Sequence, residues 1–71
     1  MLSKNAFTKK VGGNIRQFRE ERVLSQEELA HQAGLYRTYI GHLENARYSP
    51  SAYVLYKIVK ALKADITDFL V

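Results

Sequence analysis

Ser25 and Gly34 set the two ends of a helix of about two turns, and a single residue, Leu35, separates it from the next apolar-periodic stretch. The run Ser25-Gln26-Glu27-Glu28 has the form of a capping box. The serine hydroxyl accepts from the backbone N–H three residues on, and the Glu28 carboxylate accepts from the serine N–H in return. Leu29, Ala30 and Ala33 fall on one face of the helix so opened. Gly34 closes it, because the left-handed backbone that ends a helix suits a residue without a Cβ. A second helix is then predicted from Tyr36 to Asn45. A connection this short forces the two helices to cross at a steep angle.

Apolar spacing extends the helical reading along the chain. Phe7, Val11, Ile15 and Phe18 line one face of a helix predicted from Thr8 to Arg22. Gly12 and Gly13 lie inside it, each costing about 1 kcal/mol relative to alanine, so its start is the least strongly specified. Tyr48-Ser49-Pro50 is a turn, and Ser51 caps a fourth helix with the stripe Leu55, Ile58, Val59 and Leu62. Asp65 caps a last short helix over residues 65–71 carrying Ile66, Phe69 and Leu70, with Asp68 suited to its first turn. The expectation is an all-α, compact five-helix bundle forming one domain over residues 1–71. With no cysteine in 71 residues, neither a disulfide nor a thiolate metal site supports it. Such a fold stands on packing alone, which suits a reducing compartment and predicts a cytoplasmic protein. The longest charge-free run, Tyr48 to Tyr56, is nine residues, against the roughly 20 that a membrane span needs.

The formal net charge is +4, which makes a polyanion the first partner to consider. Residues 1–24 contribute six basic and two acidic groups, whereas residues 25–45 contribute one and three. Catalysis has little to work with. There is no cysteine nucleophile, His31 and His42 fall on different helices, and Gly12-Gly13 lacks the preceding strand and spaced third glycine of a phosphate cradle. No enzyme activity, metal or cofactor is expected.

The helix from 36 to 45 has two unlike faces. At about 100° per residue, Tyr36, Leu43 and Glu44 lie within about 60° of Ile40, on the inward side. Arg37, Thr38, Gly41, His42 and Asn45 form the outward face, which is polar, free of carboxylates and has a glycine near its centre. A helix that enters a major groove needs such a face, with hydrogen-bonding side chains able to reach base edges.

The spacing of Leu29, Ala30, Ala33, Gly34, Ile40 and Leu43 resembles the DNA-binding helix-turn-helix. The stretch from Ile15 to Leu62, with SQEELA, AGL, RTYI, LEN and KIVKAL, is similar to the XRE-type family of lambdoid phage repressors. Within that family, Arg37-Thr38-Tyr39-Ile40 followed by Glu44 and Arg47 most resembles the controller proteins of restriction–modification systems. The resemblance implies a five-helix domain that binds double-stranded DNA as a homodimer, with the helix-turn-helix proper over about residues 25–45. It implies a transcription regulator of bacterial or phage origin acting on an inverted repeat. An antitoxin or a fused protein-interaction module is the rival use of the same fold.

Roles follow residue by residue. Arg37 is the leading base reader, because a guanidinium offers two donors to guanine O6 and N7. Thr38 and His42 complete the base-reading set. The resemblance puts Gln26, at the start of the second helix, on the phosphate backbone, where the helix dipole assists. Tyr39, Asn45 and Arg47 join it as backbone contacts. The resemblance also matches Glu44 with Arg19 as a buried structural ion pair, and makes the tail residues Ile66, Phe69 and Leu70 part of a symmetric dimer contact. Three positions depart from the family pattern: Val23 stands where a closing glycine is usual, Tyr36 replaces a capping Ser, Thr or Asp, and Gly41 replaces a common serine.

Overall fold

The computed structural model describes residues 3–69. Four α-helices and a 3-10 turn account for the secondary structure: α1 (Lys4–Glu21), α2 (Gln26–Ala33), α3 (Arg37–Glu44), α4 (Ala52–Ala61) and the turn Ile66–Phe69. No strand occurs among the described residues. The chain is therefore all-α as expected, but the fifth helix is a single 3-10 turn. Asp65 does cap it, its Oδ1 accepting from the Thr67 N–H at 3.1 Å and from the Thr67 hydroxyl at 3.0 Å. Those local bonds favour a tight turn over the α-helix predicted there.

α1 begins four residues earlier than its apolar stripe suggests. Ser3 is its cap, accepting from the Ala6 N–H at 3.1 Å, and the Thr8 hydroxyl donates to the Lys4 carbonyl at 2.8 Å. Gly12 explains why a helix tolerates a glycine pair. A Cβ at Gly12 would run into the Leu43 carbonyl oxygen and lie 3.2 Å from that of Glu44, so its absence lets α1 close onto the end of α3. Gly13 faces open space.

Both halves of the capping box form: the Glu28 N–H donates to Ser25 Oγ at 3.0 Å, and the Ser25 N–H to Glu28 Oε1 at 2.8 Å. Gly34 is left-handed, with φ 68°. The other three α-helices close in the same way without glycine. Val23, Ala46 and Lys63 take φ of 55°, 60° and 54°. At each of the four ends, the left-handed residue and its successor donate to carbonyls three and five residues back, as in Val23 N–H to Glu20 and Leu24 N–H to Arg19, both at 3.0 Å.

The core collects the predicted stripes: Val11 and Ile15, Leu29, Ile40 and Leu43, Ile58 and Leu62 are all buried. Two placements differ from expectation. Tyr36, assigned to the inward face of α3, is 84% exposed, because it precedes the helix with an extended backbone (φ −81°, ψ 145°) and escapes the helical periodicity. Phe69, assigned to a dimer contact, is fully buried and stacks on Phe18 at 4.8 Å, where it completes this chain's own core. Leu70, the third residue of that predicted contact, lies outside the described residues. No helix among the described residues is long and apolar enough to cross a membrane.

Candidate nucleic-acid interface

The inward face of α3 anchors the site. Ile40 and Leu43 sink into the core, and between them and the surface lies the Glu44 carboxylate, whose side chain is fully buried. Arg19 meets it with two donors, Nε to Oε2 at 2.7 Å and Nη2 to Oε1 at 3.1 Å. Gln26 Nε2 donates to Oε1 at 3.0 Å, and Arg16 Nε to the same oxygen at 3.3 Å. The remaining Arg19 nitrogen, Nη1, donates to the Leu24 carbonyl at 2.8 Å and so ties down the loop before α2. One carboxylate thus joins α1, α2 and α3. Burial alone would push its pKa up, but the Arg19 and Gln26 hydrogen bonds, the Arg19 charge and the Arg16 bond together hold it below the usual 4.5.

Pinning Glu44 inward leaves the outer surface of α3 without a carboxylate. Arg37 and Thr38 are exposed at the first turn, and neither side chain has a hydrogen-bond partner among the described residues. Both are therefore free to meet a ligand. Gly41 sits at mid-helix, with the Gln26 amide lying over it: a Cβ at Gly41 would be 3.7 Å from Gln26 Oε1. Gln26, which Glu44 holds by one end, is so brought beside the middle of α3 although it belongs to α2.

Farther along, His42 is half-buried. Arg47 Nη1 approaches its Nδ1 at 3.3 Å. A guanidinium can only donate, so in this contact Nδ1 is the acceptor and the ring proton resides on Nε2. The Tyr48 ring meets the imidazole edge-on at 5.0 Å and lies 6.1 Å from Tyr39. Tyr48 is a residue that the sequence reading assigned to a plain turn. Nothing in periodicity marks it, since the contact depends on how the loop after α3 folds back. Asn45 caps the end of α3; its Nδ2 donates to the Gly41 carbonyl at 2.9 Å and its Oδ1 accepts from Arg16 Nη2 at 3.2 Å. Arg16 is the second residue missed. On α1 it reads as one more surface cation, and only the close approach at Gly12 brings it beside Glu44 and Asn45.

The structure thus brings Arg37, Thr38, His42, Gln26, Tyr39, Asn45 and Arg47 onto or beside one helix, and sets Ile66 apart in the 3-10 turn, 41% exposed. No group of acidic, histidine or cysteine side chains among the described residues could hold a metal ion.

Known proteins resemble this chain. The helix-turn-helix family matches residues 15–69, most of the chain. A phage relative, the ImmF control region 10 kDa protein of Bacillus phage phi105, is 40% identical over 58 residues, covering 82% of this chain and 64% of the relative. The chain thus spans a little under two thirds of that protein's length. Control protein C.SmaI of Serratia marcescens is 39% identical over 57 residues, covering 80% of this chain and 68% of that protein. Among solved structures, the restriction–modification controller protein C.AhdI from Aeromonas hydrophila superposes with a TM-score of 0.85 at 32% identity, over 87% of this chain and 94% of that one.

Proposed function

This chain belongs to the helix-turn-helix family, and from that premise we propose that it is a DNA-binding transcription regulator that reads an inverted repeat as a homodimer, in the manner of a controller protein. The observation that carries the reading is the outer surface of α3. Arg37 and Thr38 are exposed and unpartnered, His42 in the tautomer that accepts from Arg47 has an Nε2–H to donate, and the helix's one acidic residue is buried. Arg37 addresses guanine through its paired donors, His42 an acceptor on a base edge, and Thr38 a base edge or a thymine methyl. Gln26, Tyr39 and Arg47 hold the backbone on either side. Asn45 stands at the last turn beside them. A family of such regulators is not generally enzymatic, and nothing in the site calls for a cofactor.

Size supports a dimer. α3 has eight residues, about 12 Å of helix, which spans only a few base pairs. Two copies with reading helices about 34 Å apart reach successive major grooves. Among the described residues of the tail, Ile66 is the outward apolar one, beside Tyr56 and Val59 in a shallow groove that Lys60 and Lys63 also line. We assign the symmetric contact to this groove.

Selection from random duplex DNA at about 150 mM salt tests the reading. An inverted repeat with half-site centres about 10–11 base pairs apart is the expected product. Repeating the selection with Arg37→Ala relaxes one base position per half-site, at a cost of about 1–3 kcal/mol on the selected site. Folded protein that enriches no sequence, or light scattering that finds only monomer at micromolar concentration, would refute it.

A further inference from the structure

We propose that Arg16 is a phosphate-contacting residue, delivered from α1 to the far end of α3 and held in place there by Glu44 and Asn45. The inference rests on the DNA-binding reading above and adds to it a residue from outside the helix-turn-helix.

Charge pairing at Glu44 is lopsided. A single buried carboxylate faces two guanidinium groups. Arg19 takes the larger share, with two bonds at 2.7 and 3.1 Å and a side chain only 12% exposed, and its third nitrogen is committed to the Leu24 carbonyl. One positive charge therefore neutralises the carboxylate, and the cluster as a whole keeps one in excess. That excess falls on Arg16, whose Nε stands farther off at 3.3 Å and whose side chain is 46% exposed.

Arg16 is also oriented. Its Nε is bound to Glu44 and its Nη2 to Asn45 Oδ1 at 3.2 Å, so the plane of the guanidinium is set by two fixed acceptors. A guanidinium carries five N–H donors, and these two contacts leave three of them for a ligand. Asn45 spends one Nδ2–H on the Gly41 carbonyl and its Oδ1 on Arg16, which leaves it a single N–H and no charge to offer a phosphate. Asn45 is then a positioning residue, and Arg16 is the cation that it presents. An exposed lysine would have to be ordered on binding, whereas this guanidinium is already held, which lowers the ordering cost of the contact.

The salt dependence of DNA binding tests the proposal, because each phosphate neutralised contributes about −0.9 to the slope of log K against log salt. Wild type, Arg16→Gln, Arg16→Lys and Lys57→Gln are titrated on the selected duplex and on a random duplex, with helical content checked by circular dichroism. Glutamine keeps hydrogen-bond donors for Glu44 and Asn45 while removing the charge, so the fold survives. Arg16→Gln is expected to make the slope shallower by about 0.9 per protomer, and to weaken binding equally on both duplexes. Arg16→Lys restores most of the slope, and Lys57→Gln, on α4 and outside the groove assigned to the dimer contact, leaves it unchanged. A wild-type slope in Arg16→Gln overturns the proposal, as does an equal loss in Lys57→Gln, which would reflect net charge alone. Wild-type protein that binds neither duplex at any salt overturns the DNA-binding reading and this inference together.

Discussion

α2 and α3 contain eight residues each, and they are held by different means. α2 carries its own instructions: a reciprocal capping box at one end, a left-handed glycine at the other, and two acidic residues in its first turn to complement the helix dipole. α3 has none of these. Its N-cap, Tyr36, makes no side-chain hydrogen bond, its first turn has no acidic residue, and the left-handed residue after it is Ala46. What holds α3 is the rest of the molecule: Ile40 and Leu43 in the core, the close approach of α1 at Gly12, and the Glu44 carboxylate bound to Arg16, Arg19 and Gln26. α3 is placed by tertiary contacts, so the local preferences of its surface residues are free to serve the DNA contact proposed for it.

Removing the tertiary anchor tests this contrast most severely. Glu44→Ala leaves Arg19 without its partner in a largely buried position, and is expected to lose about 3–5 kcal/mol in urea or thermal unfolding. A domain of this size has roughly 4–10 kcal/mol in all, so the variant sits near its unfolding threshold. The same group predicts an acid limb. Its pKa is depressed in the folded state, so its contribution is fully present above the ordinary carboxylate value of 4.5 and is lost as pH falls through the folded value. Stability measured from pH 7 downward should fall in that range, and Glu44→Gln should flatten the fall.

The two adjacent glycines offer a matched pair. Gly12→Ala forces α1 away from the Leu43 and Glu44 carbonyls and should cost about 1–3 kcal/mol, with α3 the element that loosens in hydrogen exchange. Gly13→Ala meets nothing, and should gain about 1 kcal/mol from helix propensity. Equal effects at the two positions would mean that α3 does not depend on that contact.

Exchanging caps between the helices has a smaller effect of opposite sign. Ser25→Ala should lose about 1 kcal/mol, and Tyr36→Ser should gain about as much, measured by denaturant midpoint. No gain at Tyr36 would show that the first turn of α3 is already held from elsewhere. The smallest effect is expected at Val23, a β-branched residue at φ 55° and 87% exposed. Val23→Gly relieves the left-handed strain, and after the entropy of a glycine in the unfolded chain is counted it should stabilise by about 0.5–1 kcal/mol.

Much of this architecture is legible in the residues alone, and the legible parts share a cause. The capping box at Ser25, the turn at Gly34, the serine cap of α4 and the apolar stripes are signals whose partners lie within about a turn of helix, so spacing reports them directly. The misreadings share a cause too. Left-handed closures at Ala46 and Lys63 have no glycine to announce them. Tyr36 obeys a helical wheel only if it is in the helix, and it stops one residue short.

Sequence by itself determined the four α-helices, the short connection between α2 and α3, and the polar outer face of α3, because those depend on hydrogen bonds and periodicity over a few residues. Tertiary structure alone decided the rest. It turned Phe69 into the core, set Tyr48 against His42, and brought Arg16 across from α1 to Asn45, 29 positions away in the chain. Such contacts are fixed by how closely whole helices can approach, and that distance is set by the absence of one Cβ at Gly12 and by a single buried carboxylate.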